Sequence, residues 1–174
     1  WIVEDADARF YMVGQADRSF GCPCDRCKAA RDKYMDSGLM VRFINAVSQI
    51  LDEWKQQENI DKDYSLVIFA YSYSEKAPVR DGKAIDSTVV PAENVYVRYA
   101  PIRGSYYYSL QDERQTDDVK NIYEDWGKIT DRLMIWTYHD IYSNWFWYYP
   151  TYQAMSSDLQ MLESVGTEYA MAQS

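Results

Sequence analysis

Short apolar runs alternate with amphipathic helical patterns along this chain, and this alternation limits the possible folds more than any other feature. The clearest run, Ser65–Ala70, is apolar without a two-residue period, which predicts a strand buried on both faces. Strands are predicted at residues 10–13, 65–70, 94–99, 132–137 and 168–172. Apolar strands that alternate with amphipathic helices are typical of a parallel sheet with right-handed crossovers.

The predicted helices lie between these strands. Apolar residues recur every three or four positions from Leu39 to Trp54, which predicts an amphipathic helix, and residues 28–33 are compatible with a further turn before it. Two more helices are predicted, one starting at Thr116 or Asp117 and one over residues 151–164. By contrast, residues 76–91 are polar and lack a helical period, so we expect a long loop there.

Both a doubly wound sheet and a (β/α)8 barrel fit this order of elements. A complete barrel takes about 250 residues, so the 174 residues here would form only part of one. We therefore expect residues 1–174 to be a single domain or a domain fragment, with about five strands of a partial barrel.

Composition narrows the classes of ligand. The net charge of -9 argues against a nucleic-acid partner or an anionic membrane surface, and no apolar run is long enough to span a bilayer. Seventeen Tyr and six Trp against five Phe mean that most aromatic rings carry a polar group. Such rings suit sugar clefts and protein interfaces, although an ordinary Tyr-rich core would have the same composition.

Polar and aromatic residues follow the carboxyl ends of the first four predicted strands. They are Gln15 and Asp17, then Tyr71 and Tyr73, then Arg103, and then Tyr138, His139 and Asp140, with Trp145 in the aromatic loop beyond. Since parallel strands present their carboxyl ends on one side of the sheet, this repetition predicts an active-site face.

Several segments, taken in order, resemble an uncharacterised bacterial domain found among glycoside-hydrolase-like proteins, akin to α-glucuronidases and β-hexosaminidases. The segments are Gln15-Ala16-Asp17, Cys22-Pro23-Cys24-Asp25-Arg26-Cys27, Phe43-Ile44-Asn45-Ala46-Val47, Phe69-Ala70-Tyr71, Glu93-Asn94-Val95 and Ile135-Trp136-Thr137-Tyr138. The resemblance implies the carboxyl-terminal half of a TIM-type barrel, completed by the remainder of a parent barrel. It also implies a carbohydrate ligand, polysaccharide degradation and a periplasmic, cell-surface or secreted location.

Glycoside hydrolysis needs two carboxyl groups, or a single acid if the substrate supplies the nucleophile. Asp17 resembles the acid at a strand end of the related hydrolases, and Asp140 is the natural second carboxylate, with Glu75 as a weaker third. A single Asp stands where the relatives usually show adjacent carboxylates, and Asp17 could instead cap a local turn. His139, the single histidine, is a further catalytic candidate, although a hydrogen-bonded structural role is the commoner one.

Substrate binding is predicted for Gln15, Tyr71, Tyr73, Arg103, Tyr138 and Trp145. Arg103 could hold the carboxylate of a uronic acid with its planar guanidinium. For Trp136 we favour packing over sugar stacking. We expect Asp17, Tyr71, Arg103 and Tyr138 to converge on one concavity.

Three cysteines within six residues, Cys22, Cys24 and Cys27, predict a metal site, a disulfide with one free thiol, or free thiols alone. A zinc ion there would need a fourth ligand, for which His139 and Asp25 are the candidates. The bridges compatible with disulfide geometry are Cys22–Cys27 and Cys24–Cys27. The functional hypotheses are thus a glycoside-hydrolase-like enzyme, a non-catalytic carbohydrate-binding module and a thiol-based metal or redox protein.

Overall fold

The structure of the chain is a computed structural model that describes residues 4–5, 7–18, 21–115, 118–141, 144 and 146–173. Within these ranges the α-helices are Asp25–Gln57 (α1), Val119–Gly127 (α2) and Tyr152–Ser164 (α3). The strands are Phe10–Met12 (β1), Ser65–Ala70 (β2), Val79–Arg80 (β3), Lys83–Ala84 (β4), Val95–Tyr99 (β5), Leu133–Tyr138 (β6) and Thr167–Gln173 (β7). Short 3₁₀ helices lie at Ser72–Ser74 and Ser87–Val89.

Five strands form one parallel sheet in the order β1-β2-β5-β6-β7, and β3 pairs with β4 in a separate antiparallel hairpin. The sheet curls into a half-barrel, as expected for part of a β/α barrel. The prediction of five parallel strands in chain order is therefore confirmed. Strand β2 occupies the predicted residues Ser65–Ala70. Its unbroken apolar run suits a central strand that is covered on both faces.

The outer face of the sheet carries the main hydrophobic core, which α1, α2 and α3 cover. Strand residues such as Ile68, Val97 and Leu133 are buried against Ile44 of α1 and Trp126 of α2. In this layer the apolar side of each helix packs on the side chains that alternate strand residues point toward it.

The other face of the sheet, which we call the concave face, has no helix over it among the described residues. The strand register places alternate residues on it: Phe10, Met12, Val67, Phe69, Tyr96, Arg98, Met134, Trp136, Tyr138, Tyr169 and Met171. Val67, Tyr96 and Met134 form a small buried cluster separate from the main core. Toward the sheet edges the apolar residues are exposed, with Met12 at 47% and Tyr169 at 47%.

Two elements differ from the sequence-based prediction. Helix α1 begins at Asp25 rather than Leu39 and is kinked at Met35, whose φ of 65° is not helical. The expected long loop contains the β3–β4 hairpin, because Asp81 and Gly82 adopt positive φ values of 52° and 74° and form its two-residue turn. The predicted start of α2 at Thr116 or Asp117 lies outside the described residues.

Gly38 lets α1 approach the segment that follows the hairpin. A Cβ atom at this position would lie 3.0 Å from Val89 Cγ1, 3.2 Å from Pro78 Cβ and 3.3 Å from Tyr34 Cβ. We therefore expect Gly38→Val to lower the free energy of unfolding by about 1–3 kcal/mol through overpacking. Urea unfolding measures this change. Ala46→Val places the same β-branched residue at an exposed position of α1 and should stay within about 0.5 kcal/mol; equal effects of the two substitutions would contradict the packing argument.

Candidate functional site

The carboxyl ends of the strands surround a concavity of about 210 Å³, which we call the aromatic concavity. Its lining residues are Gln15, Asp17, Phe69, Tyr71, Ala100, Trp136 and Tyr138. They come from the segment after β1, from β2 and β6, and from the residues that directly follow β2 and β5. The expected active-site face of the sheet therefore bears a concavity with one carboxylate and several rings.

Gln15 is held in place by the turn that follows β2. Its Nε2 donates to the backbone carbonyl of Tyr71 at 2.9 Å, and its Oε1 accepts a hydrogen bond from Ser74 Oγ at 2.7 Å. Both ends of the amide are thus used within the protein. Gln15 lines the concavity, and its contacts also fix the start of the loop that carries Asp17.

Asp17 is exposed at the rim of the aromatic concavity. The Tyr71 hydroxyl lies 3.4 Å from Asp17 Oδ1 and donates toward it. Burial, and then the negative charge of Asp17, raise the pKa of Tyr71. Among the described residues no backbone N–H donates to the Asp17 carboxylate, so the turn-capping alternative has no contact in its favour.

Trp136 forms the floor of the concavity together with its neighbours on the concave face. Its Nε1 donates to Gln173 Oε1 at 2.9 Å, which fixes the plane of the indole ring. The ring stacks on Tyr138 with centroids 6.4 Å apart and lies 5.6 Å from the Phe69 ring. Phe69 and Ala100 were not predicted as site residues, although the two-residue period from Tyr71 back to Phe69 would have identified one of them.

Three of the four residues expected to converge do so. Asp17, Tyr71 and Tyr138 line the aromatic concavity, whereas Arg103 is not among the lining residues and its guanidinium instead pairs with the Glu75 carboxylate. The expectation was wrong for Arg103 because an acidic partner after β2 holds its side chain outside the concavity.

The remaining predicted site residues lie elsewhere. Asp140 lines a neighbouring concavity of about 200 Å³ together with Tyr106 and Tyr149, and Tyr138 borders both concavities. The Tyr73 ring lies beside Gly21 in the loop that leads to the cysteines. Trp145 is outside the described residues.

His139 extends the edge of the sheet and packs inward. Its backbone N–H donates to Gln173 O at 2.9 Å, and its Nε2 lies 2.8 Å from Thr137 Oγ1. The Thr137 hydroxyl in turn donates to Met171 O at 3.2 Å, so it accepts from a protonated Nε2. Nδ1 is buried and has no hydrogen-bond partner in the described part of the chain, and His139 lines neither concavity.

The environment of His139 gives a pH-dependent prediction. Burial lowers its pKa, while the charges of Asp158 and Asp140 oppose this shift. The folded state then binds fewer protons than the unfolded state, so stability should fall as the pH drops below about 6.5, the ordinary histidine value. Because the chain has one histidine, its imidazole C–H resonances report the titration directly by NMR. We expect a midpoint below about 6.5, and a midpoint above this value would contradict the structure.

Arg98 lies in the centre of the concave face, beside the aromatic concavity. Its Cζ is 5.9 Å from the ring centroids of both Phe69 and Trp136. Burial lowers the pKa of its guanidinium, and its Nη2 reaches Met134 Sδ, a weak acceptor, at 3.5 Å. Its Nε is buried and has no hydrogen-bond partner among the residues that the structure describes. Within the described part of the chain no carboxylate pairs with Arg98, so a half-buried cation is left for another group to neutralise.

The three cysteines lie together at the start of α1. They are free thiols, and their Sγ atoms all lie within 4.8 Å of one another, close enough to hold a metal ion. None of them lines the aromatic concavity.

Two further findings concern the rest of the surface. A larger depression of about 600 Å³ lies where α1 ends, and its lining has no aromatic ring. Among the described helices, none combines the length and apolar character needed to cross a membrane.

Comparison with known proteins gives one match. No curated protein and no solved structure matches this chain. A family model described as a domain of unknown function, DUF4838, matches residues 2–174. This match agrees with the predicted resemblance to an uncharacterised domain, while the likeness to glycoside hydrolases stays a prediction. Because the match spans almost every residue, the chain belongs to the DUF4838 family.

Proposed function

We propose that the aromatic concavity binds a sugar residue of a glycan. The observation that carries this proposal is the meeting of one carboxylate, Asp17, with the rings of Tyr71, Trp136 and Tyr138 in a space of about 210 Å³. Apolar ring faces suit the C–H faces of a pyranose, and carboxylate and phenol oxygens suit its hydroxyls. The fold alone would not support this choice, since barrels of this kind host many functions.

The sugar we propose carries a carboxylate, as in a uronic acid. Arg98, rather than Arg103, is the residue suited to hold it, because Arg103 already pairs with Glu75 while Arg98 has no carboxylate partner among the described residues. The Phe69 and Trp136 rings flank the Arg98 guanidinium and also line the concavity. Arg98 itself lines a separate space of about 220 Å³ on the concave face. A ligand in the aromatic concavity would therefore have to extend past these two rings to reach this cation.

Two versions of this function differ in chemistry. In the enzyme, Asp17 acts as the acid of a glycoside hydrolase, with Asp140 or a group of the substrate completing the reaction. In the binding module, the same face holds the glycan without cleaving it. The module gains support from the lining of the concavity, where Asp17 is the single carboxylate among the described residues and Asp140 borders the neighbouring space.

One experiment separates the enzyme from the module. The protein is incubated with aryl glycosides and uronic-acid oligosaccharides, and turnover and binding are measured in parallel. Turnover that Asp17→Asn abolishes, but that the exposed-site control Asp25→Asn leaves unchanged, supports the enzyme. Binding without turnover supports the module. If neither occurs with any sugar, the proposed function is wrong.

The exposed apolar residues of the concave face support a further part of the proposal. Phe10, Met12, Tyr169 and Met171 are each at least 37% exposed on strands β1 and β7 at the edges of the sheet. We propose that the remaining strands of a parent barrel cover them. The 174-residue chain alone should then self-associate in sedimentation experiments, whereas a stable monomer at high concentration would count against a partial barrel.

A glycan ligand agrees with the periplasmic, cell-surface or secreted location implied by the resemblance, and this location is proposed on the same basis. A zinc ion at the three cysteines is a separate proposal, because none of these residues lines the aromatic concavity.

A further inference from the structure

The three thiols lie together because of the local fold around the start of α1. Cys24 directly precedes α1, and Cys27 lies in its first turn, so the two side chains share one side of the helix. Cys22, two residues before Cys24, places its sulfur within 4.8 Å of both. The resulting cluster is exposed at Cys22 and Cys24 and partly buried at Cys27.

Contacts from α1 hold the loop before the cluster. Arg31 Nη1 donates to Cys22 O at 2.5 Å, and Arg31 Nε lies 3.7 Å from Asp36 Oδ1. Gly21 fits against this pair, since a Cβ there would lie 2.9 Å from Asp36 Oδ1. The thiols are thus brought together by protein contacts alone, which lowers the ordering cost of binding a metal.

The distances fit a thiolate metal site. Zinc–sulfur bonds of about 2.3 Å in a tetrahedron place the sulfurs about 3.8 Å apart. The Sγ atoms here lie within 4.8 Å of one another, so side-chain rotations of about 1 Å would complete the site.

We propose that Cys22, Cys24 and Cys27 bind one Zn²⁺ ion through three thiolates, with the fourth coordination position taken by a ligand from outside the chain. No other Cys, His, Asp or Glu of the described residues joins the group of three. Of the two expected fourth ligands, Asp25 points to solvent beside Lys28, and His139 is hydrogen-bonded to Thr137 on β6. Thiolates select soft and borderline metals, and zinc among them needs no redox partner.

A dithiol of the Cys-x-x-Cys type, Cys24 and Cys27, would use the same helix start for disulfide exchange. The position of Cys22 favours a metal site over such an exchange pair, because a third Sγ lies within 4.8 Å of both other sulfurs.

The test uses the reduced protein after chelation, with zinc and cobalt salts as probes. We expect one zinc per chain by elemental analysis after desalting, and a sulfur-to-cobalt charge-transfer band with tetrahedral visible bands on addition of Co²⁺. Cys22→Ser, Cys24→Ser and Cys27→Ser should each abolish stoichiometric binding, while Asp25→Asn and His139→Gln should retain it. Absence of stoichiometric zinc while all three thiols react with a thiol reagent would overturn the site.

The open fourth position has its own readout. Added imidazole or a small thiol should shift the visible cobalt bands, because it replaces the outside ligand. Unchanged bands, or loss of cobalt in His139→Gln, would show that the protein closes the site and would overturn this part of the proposal. Neither result depends on whether the protein binds sugars.

Discussion

Trp126→Ala is expected to lower the free energy of unfolding by about 3–5 kcal/mol, the largest stability loss we predict for a single substitution. Trp126 is 1% exposed within the main core, and it joins α2 to the outer face of the sheet. Its Nε1 also donates to Glu75 O at 2.8 Å, which fixes the turn after β2. A loss of this size is a large part of the free energy of unfolding of a typical domain, which is about 5–15 kcal/mol.

Two variants control this prediction, and urea unfolding measures all three. Trp126→Phe keeps an aromatic ring but removes the hydrogen bond to Glu75 O. It should therefore lower the free energy of unfolding by less than Trp126→Ala does. Trp147→Ala removes an indole that is 68% exposed and should change stability by less than about 0.5 kcal/mol. Similar losses for Trp126→Ala and Trp147→Ala would contradict the packing described here.

Arg98→Gln is expected to weaken binding of a uronic-acid oligosaccharide by about 10- to 100-fold. Hydrogen bonds to charged groups contribute about 1.5–3 kcal/mol, and about 1.4 kcal/mol corresponds to a tenfold change in affinity. A neutral oligosaccharide of the same length should bind equally well before and after the substitution. The free energy of unfolding should be unchanged or higher, because Arg98 is a half-buried cation with no carboxylate partner in the described ranges, and its replacement removes the cost of desolvating the charge.

Arg103→Gln is the matched control for Arg98. Its side chain is 60% exposed and pairs with Glu75, so its loss should leave affinity for the acidic oligosaccharide unchanged. If Arg103→Gln weakens binding and Arg98→Gln does not, the sequence-based assignment of the carboxylate to Arg103 is right and the assignment to Arg98 is wrong. If neither matters while sugars still bind, the carboxylate part of the proposal fails and the sugar site stands.

The sheet could be predicted from the sequence because its evidence is local. Each strand is a short apolar run, and parallel order follows from the long connections between the runs. Three of these connections contain an α-helix, and the connection from β2 to β5 contains the β3–β4 hairpin. The kink in α1 could not be predicted, since Met35 adopts a positive φ that its residue type does not favour. The β3–β4 hairpin, by contrast, carries an Asp-Gly turn signal that was available at residues 81 and 82.

The sequence predicted where the site lies better than it predicted which residues line it. Asp17 in the loop after β1 and Tyr71 directly after β2 were predicted because carboxyl ends share one side of a parallel sheet. Phe69 and Trp136 lie within strands and look like core residues in sequence, although their alternate positions put them on the concave face. The sequence could not distinguish Arg103 from Arg98, because ion pairing depends on contacts between distant segments.

The most direct test of the central claim is calorimetric titration of the protein and of Trp136→Ala with neutral and uronic-acid oligosaccharides. If the aromatic concavity is a sugar site, the protein should bind at least one of these ligands, and Trp136→Ala should weaken that binding by about tenfold or more, as truncation of anchoring tryptophans does. Circular dichroism would show that both proteins are folded. Equal affinity in the two proteins, or no binding to any oligosaccharide, would contradict the claim.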